Sequence, residues 1–247
     1  MTFPNDAWYS GVEVSAVKIA VFHGSPRRGN TYTATKIFLN ELAKNGDIQT
    51  TEFFFPSALP VFCTGCQICM GNPREACPHA GYVNPIYEAI MESDALIFTT
   101  PHHGGCSMSS GMKALLDHTD FLTLNVAPRV ELFSKKAFII TTSTGSTAAI
   151  KPIRKFLKNW GVNRVDAIGL RMLTNRWDAM PDSRQAASSR RLRAAARRFY
   201  IAPPKNPYLS TVFMYHMSKF VLKRYVGMEA YSYKYWAEKG FFQKRPF

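Results

Sequence analysis

Residues 17–31 read VKIAVFHGSPRRGNT, and this stretch decides the fold. Val17–His23 is a run of mostly apolar and β-branched residues ending at Gly24, the composition of a strand buried on both faces. Gly24–Thr31 is a polar, glycine-bearing loop. Beyond it, Thr31–Lys44 places Ile37, Leu39, Leu42 and Ala43 at helical spacing, with Asn30 or Thr31 as the cap. Strand, polar loop and helix in that order form the opening unit of a parallel sheet.

Working outward, Ile48–Phe55, Ala95–Thr100, Lys136–Ser143 and Arg164–Leu173 read as further strands. Pro85–Glu92, Ser109–Leu122 and Ala148–Trp160 read as the helices between them. Five alternations predict an α/β fold with a doubly wound, five-stranded parallel sheet of order 2-1-3-4-5, helices covering both faces. After Asp182 the pattern changes to a basic helix, Ser183–Tyr200, broken by Ala202-Pro203-Pro204. Two aromatic-rich helices follow, Tyr208–Tyr225 and Glu229–Gly240. The expected organisation is an N-terminal arm (1–16), a sheet domain (17–200) and a helical C-terminal extension (201–247).

The 247 residues suffice for a full core without covalent staples. No apolar run is long enough to span a bilayer, and the N-terminus lacks the basic-then-apolar pattern of a secretory signal. The expectation is a cytoplasmic protein with reduced thiols. The net charge of +14 is uneven: residues 1–150 hold 10 Lys/Arg against 12 Asp/Glu, residues 151–247 hold 21 against 5. No nucleic-acid motif accompanies the basic half, so nucleic acid is not an expected partner.

In such a sheet ligands gather beyond the carboxyl ends of strands one and three, where the strand order reverses. The first loop there, GSPRRGNT, lacks both the P-loop and the GxGxxG pattern. It still offers Ser25, Asn30 and Thr31 as polar groups, Arg27 and Arg28 as charges, and the free N–H groups of a helix start, which suit a monophosphate. The loop after strand three, PHHGGCSMSS (Pro101–Ser110), has glycines that let backbone approach a flat ring, and TTSTGST (Thr141–Thr147) ends at the same edge. A phosphate joined to a flat heterocycle fits this rim, and FMN has that shape.

Cys63, Cys66, Cys69 and Cys77 form C-x2-C-x2-C-x7-C followed by Pro78. A disulfide staple is disfavoured in a reducing compartment. An iron–sulfur cluster on four thiolates, a zinc site with His79 as a substitute ligand, and a loop that binds no metal all stay open. His102 and His103 are adjacent and so do not form a dinuclear metal pair; His103 is the candidate proton donor, with the redox chemistry resting on the flavin.

GSPRRGN after the first strand, CTGCQIC with a later Cys-Pro-His, ALIFTTP and SSGMKALLDH together resemble the NAD(P)H-dependent FMN oxidoreductases of the flavodoxin-like superfamily, in the cysteine-bearing branch that includes the iron–sulfur flavoproteins. The resemblance implies a flavodoxin-like three-layer sandwich and FMN as cofactor. Hydride would come from NADPH or NADH, and electrons would leave to a quinone, flavin or other small acceptor. It implies a homodimer or homotetramer. Ser25, Arg27, Asn30 and Thr31 match its phosphate loop. Pro101, His102, His103, Gly104, Gly105 and Cys106 match one ring-side loop, and Thr142, Ser143, Thr144 and Gly145 the other. Lys113 and Asp117 match the helix between. The chain departs from the pattern in having His103 where an aromatic residue is frequent, and in a ring-side loop one residue longer before Met108. Two alternatives remain: an electron carrier with a [4Fe-4S] cluster on the four cysteines, fed by ferredoxin, and an interaction protein whose basic extension meets an anionic surface.

Overall fold

The computed structural model describes residues 16–103, 107–145 and 147–247. β1 (Val17–His23) is central and pairs in parallel with β2 (Ile48–Phe54) and β3 (Ala95–His103). β5 (Lys136–Ser143) continues from β3, and β6 (Arg164–Arg171) lies beyond it. The path β2-β1-β3-β5-β6 is the expected parallel order of five. A sixth strand, β4 (Ser107–Met108), runs antiparallel to the end of β3, pairing His102 with Met108 and His103 with Ser107. The segment expected to be loop from Pro101 onward is therefore strand as far as His103. Its backbone groups find partners in β4 on one side and, through the Pro101–Thr142 register, in β5 on the other.

Side-chain alternation divides the sheet's two faces. Ala20, Phe22, Leu96, Phe98, Ala137 and Ile139 face one layer, packed by α3 (Ala80–Glu92), α4 (Ser110–His118) and α5 (Ile150–Asn159). Ile19, Val21, Ile97, Phe138 and Ile140 face the other, packed by α1 (Asn30–Leu42) and α6 (Asp182–Ile201). The result is a flavodoxin-like three-layer sandwich. α3 starts five residues before the expected Pro85, which the helix accommodates internally with one N–H missing from its ladder. The cysteine segment adds a four-residue helix, α2 (Ile68–Gly71).

α6 ends on the buried amine of Lys136, whose pKa burial pulls down to about 7. Lys136 Nζ donates to the carbonyls of Phe199 (2.6 Å), Tyr200 (2.8 Å) and Ala202 (3.0 Å), satisfying groups a helix end leaves open. Beyond it, α7 (Leu209–Tyr225) and α8 (Tyr231–Glu238) share a small core of Tyr215, Leu222, Trp236, Phe241 and Phe242, with Tyr215 stacked on Trp236 at 5.3 Å.

Candidate functional site

At the carboxyl end of the sheet, the loops after β1, β3, β5 and β6 enclose a cleft of about 440 Å³. Ser25, Arg27, Asn30, Thr31, Pro101, His102, His103, Thr142, Ser143 and Thr144 all line it. The parallel strands bring these distant segments to one rim because each strand ends at the same edge. Gly145 lies just beyond the cleft wall, with nothing within 4 Å of a Cβ built on it. Gly104, Gly105 and Cys106 lie outside the described residues. Lys113 and Asp117 form an exposed i,i+4 ion pair on α4 and do not line the cleft.

The Gly24–Thr31 loop is stapled from below. Gly24 N–H donates to Thr99 O at 2.7 Å, and the Ser109 hydroxyl donates to Gly24 O. Ser109 also caps α4 by accepting from Met112 N–H. Across the cleft, Thr31 and Thr142 join their hydroxyls at 2.6 Å, tying the phosphate loop to the loop after β5. Asn30 is not the cap expected from its type. Gly29 takes that position, and Asn30 Nδ2 donates to Thr174 O at 2.7 Å. Its Oδ1 is left buried with no protein partner, an acceptor that would suit a hydroxyl rather than a phosphate. Both ring nitrogens of His102 are likewise buried and unpartnered, whereas His103 is exposed on the β3–β4 ribbon.

Three orphaned polar atoms in an open cleft, beside a helix start and two arginines, fit a cofactor that carries a phosphate, hydroxyls and ring heteroatoms. FMN offers all three. Ser25, Arg27 and the first N–H groups of α1 suit its phosphate, Asn30 Oδ1 a ribityl hydroxyl, and His102 with Thr142–Thr144 the ring edge. A second basic depression adjoins the cleft. It shares Arg27, Gly29 and Asn175 and adds Arg28, Arg176 and Trp177.

Sequence reasoning missed one wall of this cleft and a buried histidine that does not line it. The segment Met172–Asn175 closes the cleft, and its only signal was its place after the last strand. His23, buried at the end of β1, sets its ring on Phe54 (4.3 Å between centroids), with Nε2 2.7 Å from Glu52 Oε2 and Nδ1 3.1 Å from Thr99 Oγ1. Burial pulls the His23 pKa down, against the opposing pull of Glu52.

The four cysteines do not line the cleft. Their loop leans on the first core through Cys69 and Met70, and α2 contacts α8. Cys63 and Cys66 are exposed, while Cys69 and Cys77 are half-buried. Burial pushes the Cys69 thiol up, and Cys77, Cys63 and Cys66 add to this, so Cys69 feels all three neighbours. Among the described residues, however, no three His, Cys, Asp or Glu side chains meet as a ligand set. The donor chemistry suits a cluster, but the arrangement does not fit one, and no step is derived through it. His79 Nδ1 donates to His118 Nε2 at 2.9 Å, while His118 Nδ1 donates to Ala114 O, which leaves His79 Nε2 as its open atom.

A profile of the family described as NADPH-dependent FMN reductase matches residues 17–168. An iron–sulfur flavoprotein of Methanocaldococcus jannaschii is 29% identical over 102 residues, covering 41% of this chain and 50% of that protein. The chain thus matches half the length of that curated relative. An azoreductase from Bacillus anthracis superposes with a TM-score of 0.58 at 13% identity, covering 74% of this chain and 100% of the other. An NAD(P)H:quinone oxidoreductase from Methanothermobacter marburgensis gives 0.57 at 14% identity, covering 74% and 97%. At these identities the structural likenesses speak for the fold.

Proposed function

The chain belongs to the NADPH-dependent FMN reductases, a family of oxidoreductases, and from that premise we propose that it holds FMN in the cleft between β1 and β3. There it would pass electrons from NADPH or NADH to a quinone, a flavin or another small acceptor. The observation that carries this reading is the convergence of Ser25, Arg27, Asn30 and Thr31 with His102 and Thr142–Thr144 around unpartnered buried polar atoms. FMN, when bound, supplies a ring that takes a hydride from the dinucleotide and releases the electrons to the acceptor.

The chain's own residues bind and orient. Arg27 supplies positive charge at the phosphate end, together with the amide dipoles at the start of α1. The Thr31–Thr142 bond keeps phosphate and ring subsites at a constant separation. His102 offers one donor and one acceptor at the ring edge when neutral. The exposed His103, which lines the cleft, is proposed as the proton donor to an incoming acceptor. Among the described residues no carboxylate pairs with Arg27 or Arg28. With Arg27 at the FMN phosphate, Arg28 is left for the phosphates of a dinucleotide, which supports NADPH as the donor.

Purified protein should carry yellow flavin absorbance that bleaches on adding NADPH anaerobically. Flavin that bleaches with dithionite but ignores NADPH and NADH would reject the reductase reading. It would favour the second one, a ferredoxin-fed carrier with a [4Fe-4S] cluster on Cys63, Cys66, Cys69 and Cys77. That alternative is supported by the C-x2-C-x2-C-x7-C spacing and by the name of the Methanocaldococcus relative, and opposed by the lack, among the described residues, of a converged ligand set. Its own readout is iron per flavin. A cytoplasmic homodimer or homotetramer is the proposed setting.

A further inference from the structure

α7 is apolar on two opposite faces. Thr211, Tyr215, Ser218 and Leu222 turn inward, where the helix packs against Trp236 and Phe241. On the other side Leu209, Phe213, Met217, Phe220 and Val221 recur at steps of one, three and four residues and face solvent. Leu209 is 88% exposed, Phe213 63% and Phe220 56%. Tyr225 and Met228 carry the exposed apolar surface past the last turns. Seven of the thirteen exposed large apolar side chains among the described residues thus fall within residues 209–228. Single exposed apolar residues are ordinary, but a continuous stripe of this kind marks a surface that something covers.

Charge identifies the cover. Residues 205–247 hold eight Lys/Arg against two Glu. Lys219 and Lys223 lie between the stripe and the buried face, Lys223 Nζ 5.5 Å from the Phe242 ring centroid, and the exposed Arg224 lies at the stripe's end. Among the described residues the ion pair in this extension is Lys234–Glu229, so the cations of α7 are not neutralised by carboxylates. A second copy of the chain would bring the same excess of cations against them. An anionic bilayer instead offers an apolar layer for Leu209, Phe213 and Phe220 and phosphates for the flanking Lys and Arg. No helix among the described residues is long and apolar enough to cross a membrane, so contact of this kind is peripheral. We propose that the outer face of α7, with its flanking cations, docks the protein on an anionic lipid surface. This inference goes beyond the reductase reading and does not rest on it, because binding to lipid is measured without turnover.

The test is flotation of the full chain with vesicles of phosphatidylcholine, alone or mixed with phosphatidylglycerol. The expected result is flotation with the anionic vesicles only, weakening as salt rises. Phe213→Ser with Phe220→Ser, and separately Lys219→Gln, Lys223→Gln and Arg224→Gln together, should each weaken partitioning roughly tenfold or more. Flavin content should stay at the wild-type level in both, and so should the thermal midpoint of the phenylalanine pair, whose side chains lie outside the core. Failure of the wild-type chain to float at low salt overturns the proposal without any variant. So does flotation that the phenylalanine pair leaves unchanged. Light scattering on the same samples separates the remaining occupant: if the phenylalanine pair turns a dimer into a monomer while vesicle binding persists, the stripe belongs to a second copy and the proposal falls.

Discussion

Gly24→Ala is the perturbation that most directly tests how the phosphate loop is built. A Cβ at Gly24 would sit 2.6 Å from Ser109 Oγ, 2.9 Å from Met112 Cβ and 3.1 Å from Thr99 O. Non-bonded heavy atoms prefer separations of about 3.5–4.0 Å. The obstacles are one side-chain oxygen, one helix-anchored Cβ and one strand carbonyl, so two of the three have no free rotor by which to retreat. Overpacking of this kind costs about 1–3 kcal/mol. Displacing Ser109 also loses its bond to Gly24 O, a further net cost of about 1 kcal/mol. The expected loss is therefore about 2–4 kcal/mol of unfolding free energy, read by urea denaturation of the flavin-free protein.

FMN affinity, followed by quenching of flavin fluorescence, should fall at least about tenfold, equivalent to 1.4 kcal/mol. Gly29→Ala is the informative companion. Nothing lies within 4 Å of a Cβ there, and its φ of −91° is open to alanine. Its apo stability should stay within about 1 kcal/mol of wild type, while the added methyl enters the cradle beside the helix start and weakens FMN binding. A Gly24→Ala protein as stable as wild type would refute the packing argument. A Gly29→Ala protein that binds FMN normally would remove the phosphate from this loop.

Other outcomes follow from the same geometry. Lys136→Met strands the carbonyls of Phe199, Tyr200 and Ala202 and should cost about 2–4 kcal/mol in a urea titration; an unchanged midpoint would deny the cap. Thr31→Val and Thr142→Val should each cost about 1–2 kcal/mol, and the double variant less than their sum, because the second change removes a hydroxyl already orphaned by the first. Strict additivity would mean the two hydroxyls do not meet. His23 has a folded pKa below its ordinary 6.5, so the unfolded chain binds more protons in that window. Stability should therefore fall as pH drops below about 6.5 and on through the folded pKa. His23→Gln should flatten that slope in denaturation curves taken between neutral and mildly acidic pH, and an undiminished slope would place the titration elsewhere.

The strand order, and the meeting of Ser25, Arg27, Thr31 and Thr142 at one cleft, were legible because they depend on local signals. An apolar run, a glycine and a helix period follow one another within residues 17–44, and the sheet's winding rule then sends every loop to one edge. Asn30 was read wrongly in role because capping propensity is local, whereas its partner, the Thr174 carbonyl, is 144 residues away. The ribbon of β3 and β4 was missed since a two-residue strand has no period to detect. His23 looked like the tail of a strand. Its contact with Glu52 exists only because β1 and β2 lie side by side, Val21 opposite Glu52 in the register.

What the chain determines by itself is thus the α/β architecture and the chemistry on offer at the sheet's edge, since both follow from residue type and short-range spacing. Only the tertiary structure decided which atoms stay unpartnered in the cleft, that the cysteine loop rests on the core and α8, away from the cleft, and that α7 turns a second apolar face to solvent. Those outcomes depend on which surfaces long-range packing covers, and a helix with apolar residues on more than one side carries no mark in its sequence of the side left bare.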